Sequence, residues 1–270
     1  MEQRRMKPGA FLRRYGRILI AGTVLLIISF IAIFAPIIST HDPMSVDVRQ
    51  AKTPPNKEHL MGTDIYGRDI FSRVVYGARV SLIVSLSVNF VAIIIGTIIG
   101  LMAGYFRKVD RIVMRIMEGL NALPSILIAI VLVSVLGRGI DKLIITLAVV
   151  NLPSIARLVR SQVLSIKEKE FVESALAMGA STRKIIFGYI LPLCTSPLII
   201  RFTSGLASTL LTEASLSFLG VGLDPGIPSW GGIISEGKTV LMVHPYISAY
   251  PGFAIIITVL AFPGVAPGGR

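Results

Sequence analysis

"SLIVSLSVNFVAIIIGTIIGLMAGY" fills Ser81–Tyr105 without a single Asp, Glu, Lys or Arg. It exceeds the roughly 20 apolar residues that cross a bilayer's hydrocarbon core. Backbone in lipid must satisfy its own N–H and C=O groups, which leaves helices or closed barrels. Barrel strands read as short alternating segments. This run is continuous, so it predicts a spanning helix. Comparable runs occupy Ile18–Ile38, Val113–Leu136, Ile140–Ala156, Thr195–Leu219 and Ile247–Phe262. The 270-residue chain is 53% hydrophobic and 16% charged, and its mean hydropathy is +0.75. The expectation is an all-α, polytopic membrane protein with about six transmembrane helices.

The charges orient those spans. Residues 1–17 carry Arg4, Arg5, Lys7, Arg13, Arg14 and Arg17 ahead of the first run. That run is too long for a signal-peptide core, and no small-residue cleavage site follows it. An uncleaved first span with a cytosolic N-terminus is therefore expected, and 18–270 reads as one membrane domain. Loop 105–113 and loop 157–192 are then cytosolic and basic, the latter through Arg157, Arg160, Lys167, Lys169, Arg183 and Lys184. The outer loop 221–246 holds one basic residue, Lys238. The positive-inside bias accounts in this way for the net charge of +12. The outer loop 39–79 departs from it, with basic and acidic residues mixed. No basic patch is interleaved with aromatics for stacking, so no nucleic-acid partner is expected.

"EFVESALAMGASTRKIIFGYILPL", Glu170–Leu193, breaks the apolar pattern. On a helix, Phe171, Ala175 and Met178 share one row, and Val172, Leu176 and Gly179 share the next. Glu170 and Glu173 lie toward the N-terminus, where the dipole favours them. Gly179 suits a left-handed C-terminal cap, and Ser181 suits the N-cap of a second helix. Pro192 ends that helix or kinks it into the next span. An exposed apolar stripe of this kind needs a covering surface: lipid, the same chain or a partner.

Glu173-Ser174-Ala175, Gly179 and Leu191-Pro192 resemble the "EAA" loop of ABC importer permeases. Ser174 stands in place of the usual alanine, and Tyr189 in place of the usual isoleucine. The resemblance implies a coupling helix that docks in a groove of a cytosolic ATPase subunit, with Phe171, Val172, Ala175, Leu176 and Met178 as its apolar face. "GTDIYGRDIFSRVVYGARVSL", Gly62–Leu82, is similar to the signature of dipeptide, oligopeptide and nickel importer permeases. Its residues Gly62, Thr63, Asp64, Gly67, Arg68, Asp69 and Arg73 form the expected outer element. Asp64–Arg68 and Asp69–Arg73 have i,i+4 spacing on an amphipathic helix. "VDRIVMRIMEGLNALPSILIAI", "TEASLSFLGVG" and "PSWGGII" extend the likeness over nearly the whole chain, and the short first outer loop is similar to that of the "C" member of such permease pairs. The tail "PGVAPGGR", 263–270, departs from the family's charged ending, so Pro263 is expected to cut the last span short in a truncated or frameshifted end.

The resemblance implies a type I ABC importer permease fold and the transmembrane permease subunit of an ATP-driven importer of di- or oligopeptides. Import of nickel or another small solute is the alternative within the class, and an ion-coupled secondary transporter is the alternative outside it. The implied partners are a second homologous permease, two ABC ATPases, an extracytoplasmic solute-binding protein and the lipid bilayer of a bacterial or archaeal inner membrane. ATP and Mg belong to the partner subunits; no cofactor, catalytic residue or metal is expected in this chain. His41, His59 and His244 are scattered through outer segments without metal-ligand spacing. Single Cys194 reads as a small packing residue. Glu213, with Ser208 and Thr212, lies in the outer half of its span, where either a wet translocation path or close helix packing suits such residues. Arg201 is placed to snorkel to the inner face, and Asn151 with Pro153 to kink the fourth span.

Overall fold

A computed structural model describes residues 8–265; the start of the basic N-terminal segment and the last residues of the 263–270 tail lie outside them. The helices, in chain order, are α1 (Pro8–Ile33), α2 (Ala35–Ile38), α3 (Ile70–Tyr105), α4 (Arg107–Asn121), α5 (Ser125–Leu136), α6 (Ile140–Lys167), α7 (Glu170–Ala177), α8 (Thr182–Lys184), α9 (Leu191–Phe218), α10 (Trp230–Gly237) and α11 (Tyr246–Val265). Among the described residues no strand forms, and one isolated bridge joins Thr63 to Asp69. Among the described residues, four continuous helices are long and apolar enough to cross a membrane.

The expected span 113–136 is not one helix. α4 and α5 meet at a 94° bend. Pro124 supplies the cause: it has no N–H and turns Leu123 away from helical geometry. α5 has 12 residues, about 18 Å of helix, short of the ~30 Å hydrocarbon core. Three other boundaries also differ from expectation. α3 begins at Ile70, three turns before the apolar run. α6 continues to Lys167, so the 157–192 loop shrinks to a tight elbow. Pro192 neither ends nor interrupts its helix: Thr182–Phe218 is one 37-residue helix. A π-helical segment, Ile185–Ile190, precedes the proline, and its wider turns absorb the hydrogen bond that proline cannot donate. Pro263 likewise lies inside α11, which reaches Val265.

The chain divides into two compact units. One takes the residues up to Ser85 and again from Leu206; the other runs from Leu86 to Gly205. In the first unit, α1 packs along α11 and α10 packs on α11. Among the described side chains of α1, the small residues Ala21 and Ala32 are buried, while Leu19, Leu26 and Phe30 are exposed, as suits a helix facing lipid. In the second unit, Gly96, Gly100 and Gly104 make a stripe on α3. A Cβ at these positions would lie 2.7 Å from Ile155 Cγ2, 2.6 Å from Val159 Cβ and 2.6 Å from Val163 Cβ. The absent side chains let α3 and α6 approach closely, which replaces a hydrophobic driving force that lipid does not supply. Arg160 of α6 makes a two-armed ion pair with Asp110 of α4, Nη2 to Oδ2 at 2.8 Å. Arg201 Nη2 donates to Ser154 Oγ at 2.8 Å, an acceptor within the same unit. Cys194 is fully buried in the core with Val163, Val172 and Ile190.

Candidate functional site

The elbow begins where α6 stops. α7 carries Glu170 and Glu173 in its first turn. It ends in a Schellman motif: Gly179 has φ +79, its N–H donates to Leu176 O at 3.0 Å, and Ala180 N–H donates to Ala175 O at 2.9 Å. Ser181 Oγ then accepts from Lys184 N at 3.4 Å and starts the next helix. The apolar stripe splits in two. Val172 is buried in one cluster with Ile166, Ile185, Ile186 and Ile190 of the same unit, and Ala175 is buried as well. Phe171, Leu176 and Met178 are exposed, Met178 at 81%. Val172 and Ala175 anchor the elbow, while Phe171 and Met178 on one side of them and Leu176 on the other are left without a covering surface. Phe171 leans on Tyr189, ring centroids 6.4 Å apart. Glu173 and Pro192 are exposed and Leu191 is half-buried.

The 62–73 signature folds differently from its periodicity. It is a tight loop until Ile70, and two of its glycines are obligatory. Gly62 and Gly67 have φ +78 and +79, and a Cβ on Gly67 would collide with the Asp47 carbonyl. Asp64 is fully buried. Its Oδ1 accepts from Tyr66 N at 2.8 Å and Arg68 N at 3.0 Å, and its Oδ2 pairs with Arg68 Nε at 2.7 Å and with Arg73 Nη1. The Asp64–Arg68 pair is thus present. The expected Asp69–Arg73 pair is not. Asp69 is the N-cap of α3, accepting from Ser72 N at 2.8 Å, and its other oxygen meets His59 Nδ1 at 2.9 Å. Arg73 turns instead to Glu236 of α10, at 2.7 and 3.2 Å, and Arg68 joins it at 2.5 Å. Thr63 Oγ1 bonds Gln50 O and accepts from Thr53 N. Four charges, two of each sign, therefore close a buried network, and sequence reasoning missed Glu236. The signal was available: two arginines in the signature face one acid once Asp69 is used as a cap. Trp230, next along, sets its Nε1 on Val74 O at 3.0 Å, against a surface that Gly77 leaves open.

Glu213 is buried in the same unit, accepting from Ser217 Oγ at 2.8 Å and Ser81 Oγ at 3.2 Å. Ser208 is exposed and Thr212 half-buried, with Thr212 Oγ1 donating to Ser208 O. Helical geometry puts Ser208 about 140° from Glu213, so the three residues do not line one face. The histidines are not all scattered. His41 and His59 lie with ring centroids 4.7 Å apart, beside Glu58; His244 stands apart against Tyr246. One further stretch, "GIISEGKT" at 232–239, fits the spacing of a phosphate-binding loop. It is helical through Gly237 and continues as a 3-10 turn. No strand leads into it, and Gly232 N is already donated to Ser229 Oγ at 3.1 Å.

Comparison with known proteins agrees with this architecture. Residues 92–265 match the family described as "Binding-protein-dependent transport system inner membrane component". Residues 12–55 match "N-terminal TM domain of oligopeptide transport permease C". The chain is 40% identical over 250 residues to the dipeptide transport system permease protein DppC of Alkalihalophilus pseudofirmus, covering 92% of this chain and 82% of that one. It is 37% identical over 262 residues to the glutathione transport system permease protein GsiD of Pectobacterium atrosepticum, covering 96% and 87%. Among solved structures, a chain of the MetNI methionine ABC transporter in inward-facing conformation shares the fold, with TM-score 0.60 at 20% identity over 71% of this chain and 93% of that one.

Proposed function

This chain belongs to the family of binding-protein-dependent transport system inner membrane components, and we propose that it is the permease subunit through which di- or oligopeptides enter the cell at the expense of ATP. A second, homologous permease completes the pathway, an extracytoplasmic binding protein delivers the peptide, and two ATPase subunits hold ATP and Mg. The basic N-terminus and the elbow face the cytosol in this reading, and the 62–73 loop with α10 faces outward toward the binding protein. The relatives named for dipeptide and glutathione transport support the peptide class of substrate.

The observation that carries the coupling role is the split face of α7. Phe171, Leu176 and Met178 are exposed while Val172 and Ala175 root the helix in the core. A rigid, rooted helix with uncovered apolar side chains on both flanks of its root can transmit a push from a partner, because the Gly179 turn holds it in one orientation. The aromatic side chain of Phe171 and the long, adaptable one of Met178 suit insertion into a groove.

The test is reconstitution of the four-subunit transporter in proteoliposomes with its binding protein and a labelled dipeptide. Met178→Asp should leave the permease folded, release the ATPases and abolish ATP-dependent uptake. Retention of both ATPase binding and uptake would overturn the coupling role. Uptake of Ni²⁺ with no uptake of di- or oligopeptides would overturn the substrate class.

A further inference from the structure

We propose that His41, Glu58 and His59 form a binding site for a borderline transition cation of the Zn²⁺, Ni²⁺ or Co²⁺ class. One ligand atom from each lies within 4.8 Å of the others. His59 is 5% exposed, and its ring is held from behind: Nδ1 lies 2.9 Å from Asp69 Oδ1. That hydrogen bond favours the tautomer with the proton on Nδ1 and presents Nε2 as the donor to a metal. Carboxylate backing of a ligating imidazole is the arrangement that fixes ring orientation and raises ligand basicity. Gln50 Oε1 accepts from the same Nε2 at 2.6 Å, so an ion must take the place of that proton, after which the amide oxygen is at hand as a fourth donor.

A tetrahedral ion with bonds of about 2.0–2.1 Å needs ligand atoms about 3.4 Å apart. The cluster must therefore tighten by up to about 1.4 Å, and the residues that must move are the more exposed ones, His41 giving up its hydrogen bond to Thr40 Oγ1. His41 is partly exposed and Glu58 exposed, so their side chains can rotate, while buried His59 stays where Asp69 holds it. Exposed Glu58 also gives the ion an entry path from water. Two imidazoles and one carboxylate suit Zn²⁺, Ni²⁺ or Co²⁺ better than Mg²⁺ or Ca²⁺, which require oxygen-only sets. Bound there, the ion links the segment that follows α2, the 58–59 loop and, through Asp69, the cap of α3. It would stiffen the first long loop without entering the membrane-spanning part. The site is independent of the proposed peptide transport.

The experiment uses the full chain in detergent, stripped with a chelator and titrated with Zn²⁺ against a chelating dye, with Co²⁺ absorption as the second readout. The expected result is one ion per chain, visible tetrahedral Co²⁺ bands, and a rise in melting temperature with Zn²⁺. His41→Ala should weaken binding at least about tenfold and erase the Co²⁺ bands. Glu58→Gln should weaken binding less. Both substitutions are at solvent-reaching positions, so the fold survives them, which circular dichroism checks. Binding unchanged in His41→Ala, an equal loss in His244→Ala, or octahedral Co²⁺ bands alone would each overturn the site. Absence of stoichiometric binding in the wild-type chain would do so as well.

Discussion

The buried charge network of the 62–73 loop makes a double-mutant cycle decisive. Arg73 is 1% exposed and bonds both Asp64 and Glu236, while Asp64 is fully buried. Arg73→Met leaves two carboxylates to share Arg68, so the network changes from balanced to one excess negative charge. Removing one partner of a buried pair costs about 3–5 kcal/mol. Glu236 is 22% exposed, and Glu236→Gln keeps its shape, so losing its charge-assisted hydrogen bonds costs about 1–2 kcal/mol. If the changes were independent, the double variant would lose their sum. It restores balance, because Asp64 then faces Arg68 alone, so the double should fall short of the sum by about 1–3 kcal/mol. The chain carries its own reporter: the single tryptophan, Trp230, sits in α10 with its indole on Val74 O, six residues from Glu236. Unfolding of the full chain by SDS titration in mixed micelles, followed by its fluorescence, gives the four free energies. Additivity within about 0.5 kcal/mol would show that these charges do not balance one another, and the network reading would be wrong.

Gly67→Ala should cost about 2–4 kcal/mol in the same titration, because it adds a left-handed penalty to a collision with the Asp47 carbonyl. Gly179→Ala has the same φ but open space around its Cβ, so about 1–2 kcal/mol is expected; equal losses would refute the steric argument. Gly100→Ala should destabilise by about 1–3 kcal/mol through contact with Val159 and the Ala156 carbonyl. Gly119→Ala, helical with nothing within 4 Å, should instead stabilise by up to about 1 kcal/mol. Leu176→Asp should spare stability and lower ATPase association in pull-down, whereas Val172→Asp, at a fully buried site, should fail first as a loss of folded protein.

What could be read in advance follows from how far apart the deciding groups are. Gly179, Ala175 and Leu176 settle the elbow's turn within a few residues, and that turn is legible as glycine spacing. The apolar stripe of α7 was legible too, but not its division, since only the fold brings Ile185 and Ile190 to Val172 and leaves Phe171 and Met178 bare. The i,i+4 rule failed at Asp69 for a definite reason: it presumes a helix on both sides of the pair. Asp69 is the residue before the helix, and its carboxylate serves Ser72 N–H, so Arg73 is released to a partner 163 positions away. The same non-local pairing hid the histidines, because His41 and His59 approach only after the first loop folds back on the cap of α3. Proline was misleading where a wider turn compensates, as at Pro192 after the π segment, and informative where nothing does, as at Pro124. Charge balance is the local quantity that still points across the chain. Once a cap claims Asp69, the signature is left one acid short, and the sequence must supply that acid elsewhere in the unit; Glu236 meets that requirement.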